Sequence, residues 1–82
     1  MVYKAVVLVN TEVGGDEKVF ESLKEVPEVK AAYMVYGLYD IVVIVESDEM
    51  EKIKEVVYNR LRSLPEVRST LTMIVVKEFE RR

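Results

Sequence analysis

The sequence contains no cysteine, no histidine, no tryptophan and no glutamine. Without cysteine there is no disulfide and no thiol nucleophile. Without histidine there is no imidazole base, and ordinary zinc and haem sites lose their ligands. Binding of Mg²⁺ or Ca²⁺ by carboxylates alone calls for a loop of spaced aspartates, which is also missing. No metal, no cofactor and no enzymatic activity are therefore expected. Basic residues are outnumbered, 12 against 15 acidic, for a net charge of −3, and they do not cluster apart from Arg81 and Arg82. Phosphate binding needs a basic face, so nucleic acid is not expected as a direct partner. Long apolar runs are lacking too. Ile41 to Val45 is an unbroken run of five, far below the roughly 20 residues that span a bilayer. The opening VYKAVVLVN has no charged n-region, long apolar core or small-residue cleavage site. The expectation is a soluble, cytoplasmic protein with no membrane partner.

What is present is apolar. Half of the 82 residues are hydrophobic, and a chain this short makes one domain, residues 1–82, with a marginal core. So much apolar surface on so small a body points to self-association. The shortage of amide side chains and the 33% of charged residues resemble the composition of proteins from hot organisms, which points to a thermophile.

The order of elements follows from periodicity. Val2 to Val9 is rich in β-branched residues and predicts a strand. Asn10 to Gly15, with its Gly14-Gly15 pair, predicts a turn. Asp16 to Val26 places Val19, Phe20, Leu23 and Val26 on one helical face, ended by Pro27. Val29 to Tyr36 and Tyr39 to Glu46 predict two strands, joined by Gly37-Leu38 as a two-residue type II′ hairpin. Asp48 to Leu64 predicts a second helix through Met50, Ile53, Val56, Val57, Leu61 and Leu64, with Asp48 and Glu51 spaced as a capping box. Val67 to Phe79 predicts the last strand. The fold class is α+β: a ferredoxin-like βαββαβ sandwich, a four-stranded antiparallel sheet with two helices on one face. An internal echo runs through it, LKEVPEVKAAYMV (Leu23 to Val35) against LRSLPEVRSTLTM (Leu61 to Met73). It reads best as one helix-to-strand turn used twice.

Two helices cover only one side of a sheet, yet both sides of these strands are apolar. A hairpin turn fixes register. Tyr36 then opposes Tyr39, Val35 opposes Asp40, Met34 opposes Ile41 and Tyr33 opposes Val42. One face carries Ala32, Met34, Ile41, Val43 and Val45. The other carries Val29, Ala31, Tyr33, Val35, Asp40, Val42 and Ile44, and is assigned to the side away from the helices. Monomers rarely expose such a patch, so a sheet-to-sheet homodimer is expected.

Two polar sets stand out. In Tyr36, Gly37, Leu38, Tyr39 and Asp40, the glycine makes a turn, the tyrosines pair across strands and Asp40 sits at a sheet end. Alternatively, turn amides and Asp40 hold the carboxylate and ammonium of a small zwitterion. Arg68, Ser69, Thr70 and Thr72 are either β-branched sheet formers with polar neighbours or hydrogen-bond partners for a ligand.

On these residues the chain resembles the effector-binding domain of the Lrp/AsnC regulators, the RAM domain (regulation of amino-acid metabolism). Three features carry the likeness: Val29 opening the second strand, the hairpin Gly37-Leu38-Tyr39-Asp40, and the run LPEVRSTLTMIVV from Leu64 to Val76. That run is similar to the family's lpgV…T.T.iv ending, with Glu66 where glycine is common. The resemblance implies a βαββαβ sandwich dimerising through its sheets and assembly of dimers into rings, often octamers. A free amino acid would be held between dimers by Tyr36, Gly37, Leu38, Tyr39, Asp40, Ser69, Thr70 and Thr72. Full-length members carry an N-terminal helix-turn-helix, whereas this sequence starts at its first strand. It resembles the stand-alone form, which would sense an amino acid or join a full-length regulator. A purely structural assembly module and an ACT-like small-molecule-binding domain remain as alternatives. An acylphosphatase would need an arginine in the Asn10 to Gly15 turn, and an RNA-binding sheet would need basic flanks around Tyr33.

Overall fold

A computed structural model describes residues 1–81. The elements run β1 (Tyr3–Thr11), α1 (Asp16–Leu23), β2 (Val29–Met34), β3 (Ile41–Ser47), α2 (Met50–Glu55, continued as a π-helix over Val56–Leu61) and β4 (Val67–Ile74). All neighbouring strands are antiparallel, in the order β2-β3-β1-β4. This is the βαββαβ arrangement, with β2 and β4 at the edges.

Strand alternation builds the core. Ala5, Val7 and Val9 of β1 and Ile41, Val43 and Val45 of β3 are completely buried. They meet Val19, Leu23 and Val26 from α1 and its exit, and Ile53, Val56, Val57 and Leu61 from α2 and its π continuation. The alternate residues Val6, Leu8, Val42 and Ile44 lie on the opposite face, which no helix covers, and remain partly exposed. The expected pairs Met34 with Ile41 and Tyr33 with Val42 form.

Five local expectations are corrected. Val29 does not share the open face. The β2–β3 register slips between Val29 and Ala31, so Lys30 is bulged out and Val29 lies opposite Val45 on the helix side. A bulge adds one residue to one strand and reverses the alternation before it. The hairpin is not a two-residue turn. Of the glycines, only Gly14 has a positive φ, 81°, so Gly37 lacks the backbone that a type II′ turn requires. Bends over residues 36–40 spread the reversal out instead, closed by Val35 N–H donating to the Asp40 carbonyl at 3.0 Å. Tyr36 is fully exposed and makes no pair with Tyr39.

The capping box is also absent: Glu49 is the N-cap of α2 without a side-chain bond, and its N–H donates to Ser47 Oγ at 3.1 Å. Both helices, β2 and β4 end sooner than predicted, whereas β1 runs on through Asn10 to Thr11, where a turn was expected, and β3 runs to Ser47. After Leu23 the chain tightens into i→i−3 bonds, with Lys24 N–H on the Glu21 carbonyl and Val26 N–H on the Leu23 carbonyl, a common way for a helix to finish. β4 stops at Ile74, leaving Val76 and Phe79 exposed.

The echoed segments make the same turn. Val29 N–H donates to the Val26 carbonyl and Val67 N–H to the Leu64 carbonyl, both at 3.0 Å. Each is followed by a bulged basic residue: Lys30 in β2, and Arg68 in β4, where Thr11 faces Val67 while Asn10 faces Ser69.

Candidate functional site

The Asn10/Thr11 end of the sheet gathers polar groups that are far apart in sequence. The loop after β1 is fixed by glycine. Gly14 supplies the positive φ, and at Gly15 an added Cβ would stand 2.8 Å from Cβ of Glu66. That close approach lets Glu12 N–H donate to the Glu66 carbonyl at 2.8 Å, while Lys18 reaches the Glu66 carboxylate at 3.4 Å. The loop is thereby tied to the turn that launches β4, and the bulge at Arg68 follows at once.

Asp40 is the anchor of this end. Its Oδ2 accepts from Thr11 N–H at 2.8 Å and from the Thr11 hydroxyl at 3.3 Å. Its own N–H donates to the Val9 carbonyl at 3.0 Å. Among the described residues Thr11 is the one buried polar residue, so its N–H needs a partner, and a carboxylate is a strong one. Beside this contact a cleft of about 410 Å³ opens, lined by Asn10, Thr11, Arg68 and Ser69. Asn10 Nδ2 donates to Ser69 Oγ at 3.3 Å across it.

The residues expected to line an effector pocket are divided within one chain. Asp40 and Ser69 lie at this polar end. Gly37 and Leu38 are exposed and Tyr39 is half-buried in the hairpin. Tyr36 borders a separate opening of about 240 Å³ with Asp16, Met34 and Val35. Thr70 and Thr72 pair with Val9 and Val7 and so belong to the helix side. Thr72 lines a groove of about 190 Å³ with Ile53, Val57, Tyr58 and Ile74. Asn10 and Thr11 are the lining residues that sequence reasoning passed over, because they sit where a turn was expected. Arg68 was visible only as a polar neighbour of Ser69.

The open face runs from this end across Val6, Leu8, Val42 and Ile44, with Tyr33, Val35, Leu71 and Met73 exposed on it. Its far end closes on charge: Lys4 Nζ lies 3.4 Å from Glu46 and 2.9 Å from Glu78. The hydrogen bond to Glu78, with help from Glu46, holds the Lys4 ammonium above its ordinary pKa of 10.5 despite some desolvation. Among the described residues no group of three or more carboxylates is placed to hold a metal ion. Nor, among the described residues, is any helix long and apolar enough to cross a membrane.

Comparison with known proteins gives a consistent picture. Residues 4–82 match the family model of the Lrp/AsnC ligand binding domain. The chain is 32% identical over 66 residues to YugG of Bacillus subtilis (strain 168), described as an uncharacterized HTH-type transcriptional regulator. The aligned part is 80% of this chain and 40% of that regulator, so this chain spans well under half the length of that relative. Among solved structures it is 41% identical to the hypothetical protein PHS023 of Pyrococcus horikoshii, with a TM-score of 0.85 over 95% of this chain and 93% of that one. The fold is also that of the Neisseria meningitidis transcriptional regulator NMB0573 in its complex with L-methionine. There the TM-score is 0.86 at 21% identity, over 96% of this chain and 53% of that one. With its βαββαβ sheet, its open apolar face and a match over nearly its whole length, the chain belongs to the Lrp/AsnC ligand-binding domain family.

Proposed function

We propose that this domain binds a free amino acid and assembles with copies of itself, coupling the two. The open face stacks on that of a second copy about a two-fold axis, and such dimers join into a larger ring, an octamer in the simplest reading. The effector sits between copies, held by Tyr36, Gly37, Leu38, Tyr39, Asp40, Ser69, Thr70 and Thr72, with more than one copy contributing. A cytoplasmic full-length Lrp/AsnC regulator is a second partner, joined through the same surfaces.

The observation that carries this reading is the division of those eight residues within one chain: they converge on one ligand only if more than one copy contributes. Support comes also from the apolar face that ends in polar groups on one side and an ion-pair cluster on the other. Such a surface suits a stacked interface with a dry middle and wet ends. The L-methionine complex of the Neisseria regulator supports an amino acid as the effector class. Thermal melts with each of the twenty amino acids test it. One or a few raise the melting temperature, by the equivalent of about 2.7 kcal/mol at a free concentration 100 times Kd. No shift with any of them at millimolar concentration contradicts it.

One observation favours a second reading, an assembly module without effector: Asp40 already spends Oδ2 on Thr11. In that case Asp40→Ala disturbs folding and assembly, and no amino acid changes either.

A further inference from the structure

The two echoed segments place a basic residue at the same point of the same bulge, yet the two residues end differently. Lys30 folds back, its Nζ donating to the Pro27 carbonyl at 3.2 Å. It borders a mainly apolar groove with Phe20, Val29 and Ala31. Arg68 lines a cleft whose other walls are Asn10, Thr11 and Ser69, all neutral and polar. Among the described residues no carboxylate lies within ion-pair distance of Arg68; the ion pairs involve Lys4, Lys18, Lys24, Lys52 and Lys54. The nearest acid fixed to this end, Asp40, is turned to Thr11.

We infer that this cleft is a carboxylate site, in which Arg68 takes the α-carboxylate of the effector, with Asn10 and Ser69 completing the hydrogen bonds. The inference deepens the proposed amino-acid reading and rests on it. The chemistry follows from the donors. A guanidinium offers parallel N–H groups matched to the two oxygens of a carboxylate. The Asn10 amide and the Ser69 hydroxyl donate but do not repel an anion. The bulge makes Arg68 the unpaired residue between Val67 and Ser69, and it lines the cleft beside Asn10 and Thr11. Asp40 stands one residue away, bonded through Thr11. Its Oδ1 accepts no hydrogen bond among the described residues, so the same end offers an anion for the effector's ammonium. One end of the sheet thus presents both halves of a zwitterion trap, and neither side chain belongs to the hydrophobic core.

The test compares acids with amides. Calorimetric titrations use the twenty free L-amino acids, the α-amide of each that binds, acetate, and inorganic phosphate, against the wild type, Arg68→Gln and Arg68→Lys. The expected result is that the acid binds wild type about ten- to a hundred-fold more tightly than its amide. Arg68→Gln should lose that preference, and Arg68→Lys, with charge but no fork, should recover part of it. Equal binding of acid and amide by the wild type, or an unchanged preference in Arg68→Gln, overturns the carboxylate assignment and leaves amino-acid sensing standing. Binding of phosphate without acetate or amino acid overturns both, as does binding of none. Far-ultraviolet circular dichroism of both variants, expected to match wild type because Arg68 is exposed, keeps a folding defect from passing as a binding defect.

Discussion

Val43 and Ile44 are neighbours in the chain and live in different solvents. Val43 points to the helices and is completely buried. Ile44 points the other way, opposite Val6 and Ala31, and is partly open to water. The two faces of the sheet are almost equally apolar in sequence and unequal in cover. The covered face is finished within one chain. The open face is finished at its ends only, by Asp40 with Thr11 on one side and by Lys4 with Glu46 and Glu78 on the other. Between those ends lie side chains whose remaining exposure represents stabilisation still to be gained, less than the roughly 1.5–3 kcal/mol of a full burial for each. The difference separates what holds the fold from the surface through which the proposed assembly would form.

Substitutions at adjacent positions break the two faces independently. Val43→Asp puts an unpaired charge into a core without water and is expected to cost roughly 4 kcal/mol or more. For so small a chain that means loss of the cooperative melt in circular dichroism. Ile44→Asp should leave that melt in place while light scattering shows the assembly falling to single chains. If Ile44→Asp unfolds the protein as Val43→Asp does, the faces are not independent.

At the seam between them, Asp40→Ala removes the acceptor of the Thr11 N–H and should cost about 1–3 kcal/mol in urea unfolding. Asp40→Asn keeps an oxygen there and should cost less. An equal loss in both would mean that the charge, and not the hydrogen bond, matters.

The smallest effect is expected at the far end. The pKa of Lys4 is raised in the folded state, so its contribution is complete below the unfolded value of 10.5 and fades as pH climbs through the higher folded one. The difference in melting temperature between wild type and Lys4→Met should therefore be constant at neutral pH and shrink above 10.5. The lysine is partly exposed, so high salt should reduce the difference as well.

The two-faced sheet was legible from the sequence because strand alternation has a period of two, and apolar residues at consecutive positions such as Ile41 to Val45 need cover on both sides. The helices were legible from the spacing of Ile53, Val56, Val57 and Leu61, which serves an α-helix and a π-helix alike; i→i−5 bonds, such as the Arg62 N–H on the Val57 carbonyl, tell them apart. The bulges at Lys30 and Arg68 were hidden because a bulge is a property of the pairing partner as much as of the strand. The glycine at position 37 suggested a tight turn, but Asp40 is held by β1 and needs no tight turn to place it. The polar cleft was the least visible part. Asn10 and Ser69 are 59 positions apart, and nothing local to either announces the other. The effector residues on β4 were named from family likeness, and alternation divides them: Ser69 looks out on the open face, while Thr70 and Thr72 look toward the helices.

Sedimentation equilibrium at micromolar concentration tests the central claim most directly. If a second copy covers the open face, the mass is that of two chains or a multiple of two, and Ile44→Asp reduces it to one. A wild-type protein that sediments as a single, soluble chain would contradict the account.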